Sequence, residues 1–133
     1  KFRTMKKDMG DIPTHLLDDR NSYVTKFGYF LRKFSLDELP QLFNIIFGDM
    51  TLVGPRPALY NQDDLINLRQ ELGINNLKPG ITGWAQVNGR DELSIKEKVD
   101  LDYYYLNHKG VTMDIKIVLM TINKVLFAKN ISL

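Results

Sequence analysis

Apolar positions recur at helical spacing through much of the chain. Val24, Phe27, Phe30, Leu31 and Phe34 predict a helix over Tyr23–Phe34, with Lys26, Arg32 and Lys33 as its cations and Gly28 as a weak point. The next run, from Ser35 to about Phe47, sends Leu36, Leu39, Leu42, Phe43, Ile46 and Phe47 to one side when wound at about 100° per residue. Asp37, Glu38, Gln41 and Asn44 fall on the other. Ser35 with Glu38 spells a capping box, and Pro40 is tolerated near a helix start, so both acids are expected in a first turn, where the helix dipole favours negative charge. Asn61–Leu72 reads as a polar helix that opens with Asp63 and Asp64 and stops at Gly73. Ser94 and Glu97 cap a further helix reaching about Asn107. Asp114 is expected to start a last helix, through Lys129, that is apolar on most sides and therefore buried in the core, a partner or a membrane interface, with the core as the default.

Strands are fewer and shorter. Lys1–Met5 alternates, Met50–Val53 is a short apolar run, and Trp84–Val87 combines aromatic and β-branched residues. Lys6–Pro13 reads as a loop and Leu16-Leu17 as a short helix. Lys78–Gly83 and Asn88-Gly89 carry turn chemistry, the latter leaving Arg90 at its mouth. Trp84 is expected to pack rather than to stack on bases. The pattern predicts a helix-rich α+β single domain over residues 1–133, with a few short strands and amphipathic helices suited to a membrane interface.

Composition narrows the function. With 44% hydrophobic and 26% charged residues in 133, the chain is an ordinary globular domain. A net charge of +2 is too small for a dedicated nucleic-acid binder, while a pI near 8.8 admits anionic ligands or an anionic membrane surface. There is no cysteine, so thiolate metal sites and disulfides are excluded, and His15 and His108 lack zinc-ligand spacing. No signal peptide or membrane-spanning run is visible.

Two stretches carry candidate chemistry. The adjacent carboxylates Asp37 and Glu38 are either solvated helix-start acids or a carboxylate nucleophile beside a metal-binding carboxylate. Arg56 stands between Pro55 and Pro57, which restrict its backbone; this is either a plain loop or a pre-positioned guanidinium for a phosphate.

Taken together, the motifs resemble the bacterial sugar transferase family, the monotopic phosphoglycosyl transferases that act on polyprenyl phosphate. The resemblance rests on Lys1–Met5, Phe27–Lys33, Ser35–Gln41, Gly48-Asp49-Met50, Val53–Pro57, Lys78–Arg90 and Asp114–Ile117, in that order along the whole chain. It implies transfer of a sugar-1-phosphate from a UDP-sugar to polyprenyl (undecaprenyl) phosphate, with UMP released, at the cytoplasmic face of the bacterial inner membrane. By resemblance Asp37 is the nucleophile of a ping-pong reaction and Glu38 a Mg²⁺ ligand, a role in tension with Glu38 as a capping residue. Arg56, then Arg32, would clamp phosphate; Lys1 and Arg3 would line the site; Arg90 would contact nucleotide; Asp102 and Asp114 match family positions. The basic, aromatic Tyr23–Phe34 helix would lie on the membrane surface. Family members carry a hydrophobic hairpin ahead of the Lys-Phe-Arg segment, so this chain is expected to be a catalytic domain apart from its anchor. Two other classes stay open: a non-catalytic module of the same fold binding anionic lipid, and a nucleic-acid binder using Arg32, Lys33 and Arg56.

Overall fold

The computed structural model describes residues 1–6, 23–89 and 92–127. The expected loop and short helix within residues 7–22, the position of Arg90 and the end of the last helix lie outside them. Among the described residues there are six α-helices: α1 (Lys26–Lys33), α2 (Gln41–Ile46), α3 (Asp63–Glu71), α4 (Trp84–Asn88), α5 (Ile95–His108) and α6 (Val111–Phe127). Two short strands, β1 (Thr51–Val53) and β2 (Gly80–Thr82), pair in parallel with Thr51 opposite Gly80 and Val53 opposite Thr82. The domain is thus a helix-rich α+β fold, as the periodicity predicts.

The helices wrap two small clusters. Val53, Val87, Tyr105 and Ile117 form one, flanked by Leu77, Trp84 and Met113. Leu65, Ile74 and Val99 form the other, joining α3 to α5. Ile117 is fully buried where α6 meets the sheet. Ile117→Ala should therefore cost about 2–5 kcal/mol, because it removes buried methylenes and leaves a cavity; equilibrium denaturation against wild type measures it.

Several local expectations need correction. Trp84–Asn88 is a helix rather than a strand, and the residues read as turn, Lys78–Gly83, contain β2 instead. Among the described residues Lys1–Met5 contributes only an isolated antiparallel bridge, Met5 to Val24. The last helix begins at Val111, one turn before Asp114, with the Asp114 amide donating to the Gly110 carbonyl. It is not enclosed: Val111, Ile115, Leu119, Ile122 and Leu126 are exposed, and of the helix only Ile117 is buried. The Ser94 helix is as expected: the Glu97 amide donates to Ser94 Oγ at 3.2 Å and the Ser94 amide to Glu97 Oε2 at 2.7 Å. The Ser94 hydroxyl also donates to Glu97 Oε2 at 2.7 Å, and this bond, with that from the Ser94 amide, holds the Glu97 carboxyl below its usual range.

Trp84 packs, as expected, stacking on Tyr104 at 5.9 Å with Lys116 Nζ 5.0 Å from its ring. Gly28 also finds its reason. It is buried, and a Cβ there would overlap the Thr4 carbonyl, so its absence lets the N-terminal segment lie against α1.

Candidate active site

The site is built where the chain turns out of α1. Ser35 does not cap a helix. It adopts a left-handed conformation (φ 54°, ψ 22°) and its side chain makes no capping bond. A non-glycine residue there is strained, and such strain persists only where its surroundings enforce it. The turn leads into one turn of 3₁₀ helix, Leu36–Glu38, and α2 then restarts at Gln41 with Pro40 ahead of it. Pro40 has no N–H to donate to a preceding turn, so a continuous helix from Ser35 would leave a broken bond there.

The interruption rotates the two acids inward. Asp37 is 2% exposed and Glu38 6%. Most of the apolar residues that the periodicity groups on one side face outward: Leu39, Leu42, Phe43 and Phe47 are exposed, and Ile46 is 76% exposed. The periodicity separated two faces correctly, but their orientation is the reverse of a solvated helix start. Burying two adjacent carboxylates is costly unless cations and donors compensate.

Compensation comes from three places in the sequence. Lys1 Nζ lies 3.9 Å from Asp37 Oδ2, and the Phe2 amide donates to the Asp37 carbonyl at 2.8 Å. Arg56 Nη1 donates to Glu38 Oε1 at 3.0 Å. Arg32, on α1, donates from Nε to the buried Thr4 hydroxyl at 2.8 Å. Burial pushes the Lys1 ammonium below its usual value, reinforced by Arg56 and Arg32 and opposed by Asp37 and Glu38. Lys1 thus sits within electrostatic range of Asp37, Glu38, Arg56 and Arg32, and three cations against two carboxylates leave positive charge that suits a phosphate. Asp37 Oδ1 is buried with no hydrogen-bond partner among the described residues.

Arg56 is held by its backbone as well as by Glu38. Pro55 is buried and its carbonyl accepts from the Gly80 amide at 2.9 Å. The Arg56 carbonyl accepts from Arg69 Nη1 at 2.8 Å. At this junction Gly54 and Gly80 touch backbone to backbone; a Cβ on Gly80 would overlap the Gly54 amide and lie 2.7 Å from its Cα.

Lys1, Arg32, Asp37, Glu38 and Arg56 are therefore brought together. Arg3 is exposed and donates to the carbonyls of Met5 and Lys6 on its own segment. Asp102 is buried and pairs with Arg69, whose Nη2 and Nε lie 2.6 and 3.1 Å from Asp102 Oδ2. Burial raises the Asp102 carboxyl above its usual range, with Arg69 and Lys98 opposing the shift. Asp114 accepts from the Tyr105 hydroxyl at 2.7 Å, and burial with this bond raises the Tyr105 pKa. Both residues line an apolar groove with Leu52, Val53, Ile115 and Leu119, whose lining includes none of Asp37, Glu38 and Arg56. Arg69 is the residue that sequence reasoning missed. Its one signal is position: it lies four residues after buried Leu65, on the inward face of α3.

A buried carboxylate pair flanked by cations, with apolar side chains exposed beside it, defines a class of site equipped to hold an anionic group against a carboxylate oxygen. The family model described as bacterial sugar transferase matches residues 1–128. The chain belongs to the bacterial sugar transferase family. It is 45% identical over 131 residues to the uncharacterized sugar transferase EpsL of Bacillus subtilis (strain 168), covering 98% of this chain and 63% of EpsL. It is 39% identical over 141 residues to the undecaprenyl-phosphate glucose phosphotransferase of Komagataeibacter xylinus, covering 98% of this chain and 26% of that protein. Identity to the UDP-glucose:undecaprenyl-phosphate glucose-1-phosphate transferase of Escherichia coli (strain K12) is 42% over 131 residues, 93% of this chain and 28% of that one. The chain thus spans less than two thirds of the length of these relatives.

Proposed function

We propose that this chain transfers a sugar-1-phosphate from a UDP-sugar to undecaprenyl phosphate, releasing UMP, through a covalent intermediate on Asp37. The observation that carries the reading is Asp37 itself: a buried carboxylate with one unpartnered oxygen, beside Lys1 and the Glu38–Arg56 pair. The names of the Komagataeibacter and Escherichia relatives supply the substrate class.

In the first half-reaction an Asp37 carboxylate oxygen attacks the sugar-bearing phosphorus. An acyl-phosphate bond forms, the bond to UMP breaks, and UMP leaves with the electron pair. In the second, an oxygen of the lipid phosphate attacks the same phosphorus and returns the electron pair to Asp37. The substrates use one site in turn, a ping-pong scheme. Lys1, Arg32 and Arg56 provide fixed positive charge for the phosphates, and Arg56 can do so as a planar fork.

Mg²⁺ belongs to the same reading. Asp37 and Glu38 offer hard oxygen donors, one of them the unpartnered Asp37 Oδ1. Among the described residues no group of three or more His, Cys, Asp or Glu is arranged to hold a metal. Glu38 would hold the ion with phosphate oxygens and water as its other ligands, a usual magnesium environment. When bound, it would neutralise diphosphate charge. Glu38→Gln should shift the Mg²⁺ titration of UMP release to at least about tenfold higher concentration; an unmoved titration removes Glu38 from the metal site.

Where the lipid phosphate meets the site, the exposed side chains of α1 and α2 offer a lipid-facing surface. Phe27 and Phe30 stand beside Lys26 and Lys33 on α1, and Phe43, Ile46 and Phe47 project from α2 and its end. Among the described residues no helix is long and apolar enough to cross a membrane, so this contact is proposed as interfacial, at the cytoplasmic leaflet. The whole reading is tested by supplying UDP-glucose, undecaprenyl phosphate and Mg²⁺ to the full-length protein and measuring UMP. Binding to anionic vesicles with no UMP released from any UDP-sugar would favour a lipid-binding module instead.

A further inference from the structure

We infer that Arg69 and Asp102 are positioning residues that fix Arg56 for gripping a diphosphate; the inference rests on the role given to Arg56 above. Asp102 is on α5, Arg69 on α3, and Arg56 in the loop after β1. Arg69 uses all three donor groups of its fork: Nε and Nη2 on one oxygen of Asp102, and Nη1 on the Arg56 carbonyl. Its side chain and that of Asp102 are 7% and 2% exposed, so the pair is closed off from direct contact with a substrate in solution. What it touches at the site is the backbone of Arg56.

That backbone has few other anchors. Pro55 and Pro57 have no N–H, so neither flanking residue can donate a backbone bond. The Pro55 carbonyl is tied to Gly80 and the Arg56 carbonyl to Arg69. Without Arg69 the second carbonyl loses its protein donor, and the proline-flanked loop, stiff within itself, is free to shift as a unit on that side. The guanidinium swings with it, away from Glu38. Asp102 in turn holds the Arg69 fork in one orientation, which a lysine could not reproduce: a single ammonium cannot donate in the same plane to both acceptors.

The test is a double-mutant cycle on UDP binding, read by calorimetry on the full-length protein, with melting temperature as a second readout. Arg69→Met and Arg56→Lys should each weaken UDP about tenfold, since small misplacement of a phosphate-gripping group is felt strongly. Together they should weaken it by less than about threefold beyond the worse single variant, because Arg69 acts through Arg56. A purely structural role would lower the melting temperature and give multiplicative losses of binding, which overturns the inference. Arg69→Lys keeps the charge; it should stay folded and still lose several-fold in UDP affinity. Wild-type affinity in that variant, or its failure to fold, assigns the pair to fold stability and overturns the positioning role. UMP release, followed separately, keeps the two readings apart. A non-additive binding cycle in a protein that releases no UMP sinks the transfer reaction alone. Normal UMP release with a multiplicative cycle sinks the Arg69 inference alone. Absence of UDP binding by wild type overturns both.

Discussion

Asp37→Asn is expected to lower UMP release from UDP-glucose by at least about 10³-fold, because removing the proposed covalent nucleophile takes away the reaction path rather than one of its aids. The substitution changes little else. The amide is nearly isosteric with the carboxylate, the backbone bond from Phe2 to the Asp37 carbonyl is untouched, and Lys1 loses only a 3.9 Å contact. Folding should therefore be retained, and UDP should still bind through Arg56. The second readout is the adduct. Wild type incubated with UDP-sugar and no lipid phosphate should carry one phospho-sugar on the peptide containing Asp37, and Asp37→Asn none. Turnover at the wild-type rate in Asp37→Asn, or an adduct mapped to a different residue, would remove the proposed intermediate.

Gly80→Ala is expected to strain the scaffold where the two strands meet. The new Cβ would meet the Gly54 amide, with the Thr82 carbonyl at 2.6 Å and the Gly54 Cα at 2.7 Å. These are backbone atoms of the paired strands and their continuation, which cannot swing aside as a side chain can. The two backbone segments must separate, at a cost of about 3 kcal/mol, or roughly 10 °C in melting temperature for a domain of this size. The same separation breaks the bond from Gly80 to the Pro55 carbonyl and so loosens Arg56. Gly110→Ala is the matched control: nothing lies within 4 Å of a Cβ there, and it should change stability by less than about 1 kcal/mol. Equal melting temperatures for the two variants would show that the glycine contact is not tight in solution.

How much was legible in the sequence depended on whether a feature is decided locally. The Ser94–Glu97 box closes between residues three apart, and the helix forms as spelled. Ser35 and Glu38 have the same spelling and a different outcome, because Pro40 interrupts the ladder and Ser35 turns left-handed. Periodicity across Ser35–Phe47 told polar from apolar sides, yet which side turns inward is set by Lys1 and Arg56, distant in sequence. Trp84–Val87 carries strand-like residues, but the Val87 amide bonds to the Gly83 carbonyl and Gln86 Nε2 to the Ile81 carbonyl, and α4 packs on α5 and α6. Tertiary packing outweighs propensity there. Arg56 between its prolines was readable as a held arginine. Arg69 was not, because an arginine in a polar helix gives no sign of a carboxylate partner 33 residues later.

The reversed faces of the Ser35–Phe47 stretch set a distance. Leu39, the first residue of the outward apolar stripe, follows Asp37 by two positions, so their Cα atoms are at most about 7 Å apart. A phosphate headgroup together with the first few carbons of its tail spans a similar length. An amphiphile resting its tail on the stripe could present its headgroup to Asp37 with the tail still in an apolar phase. The covalent chain then acts as a depth gauge, tying the level of a phase boundary to the level of a carboxylate.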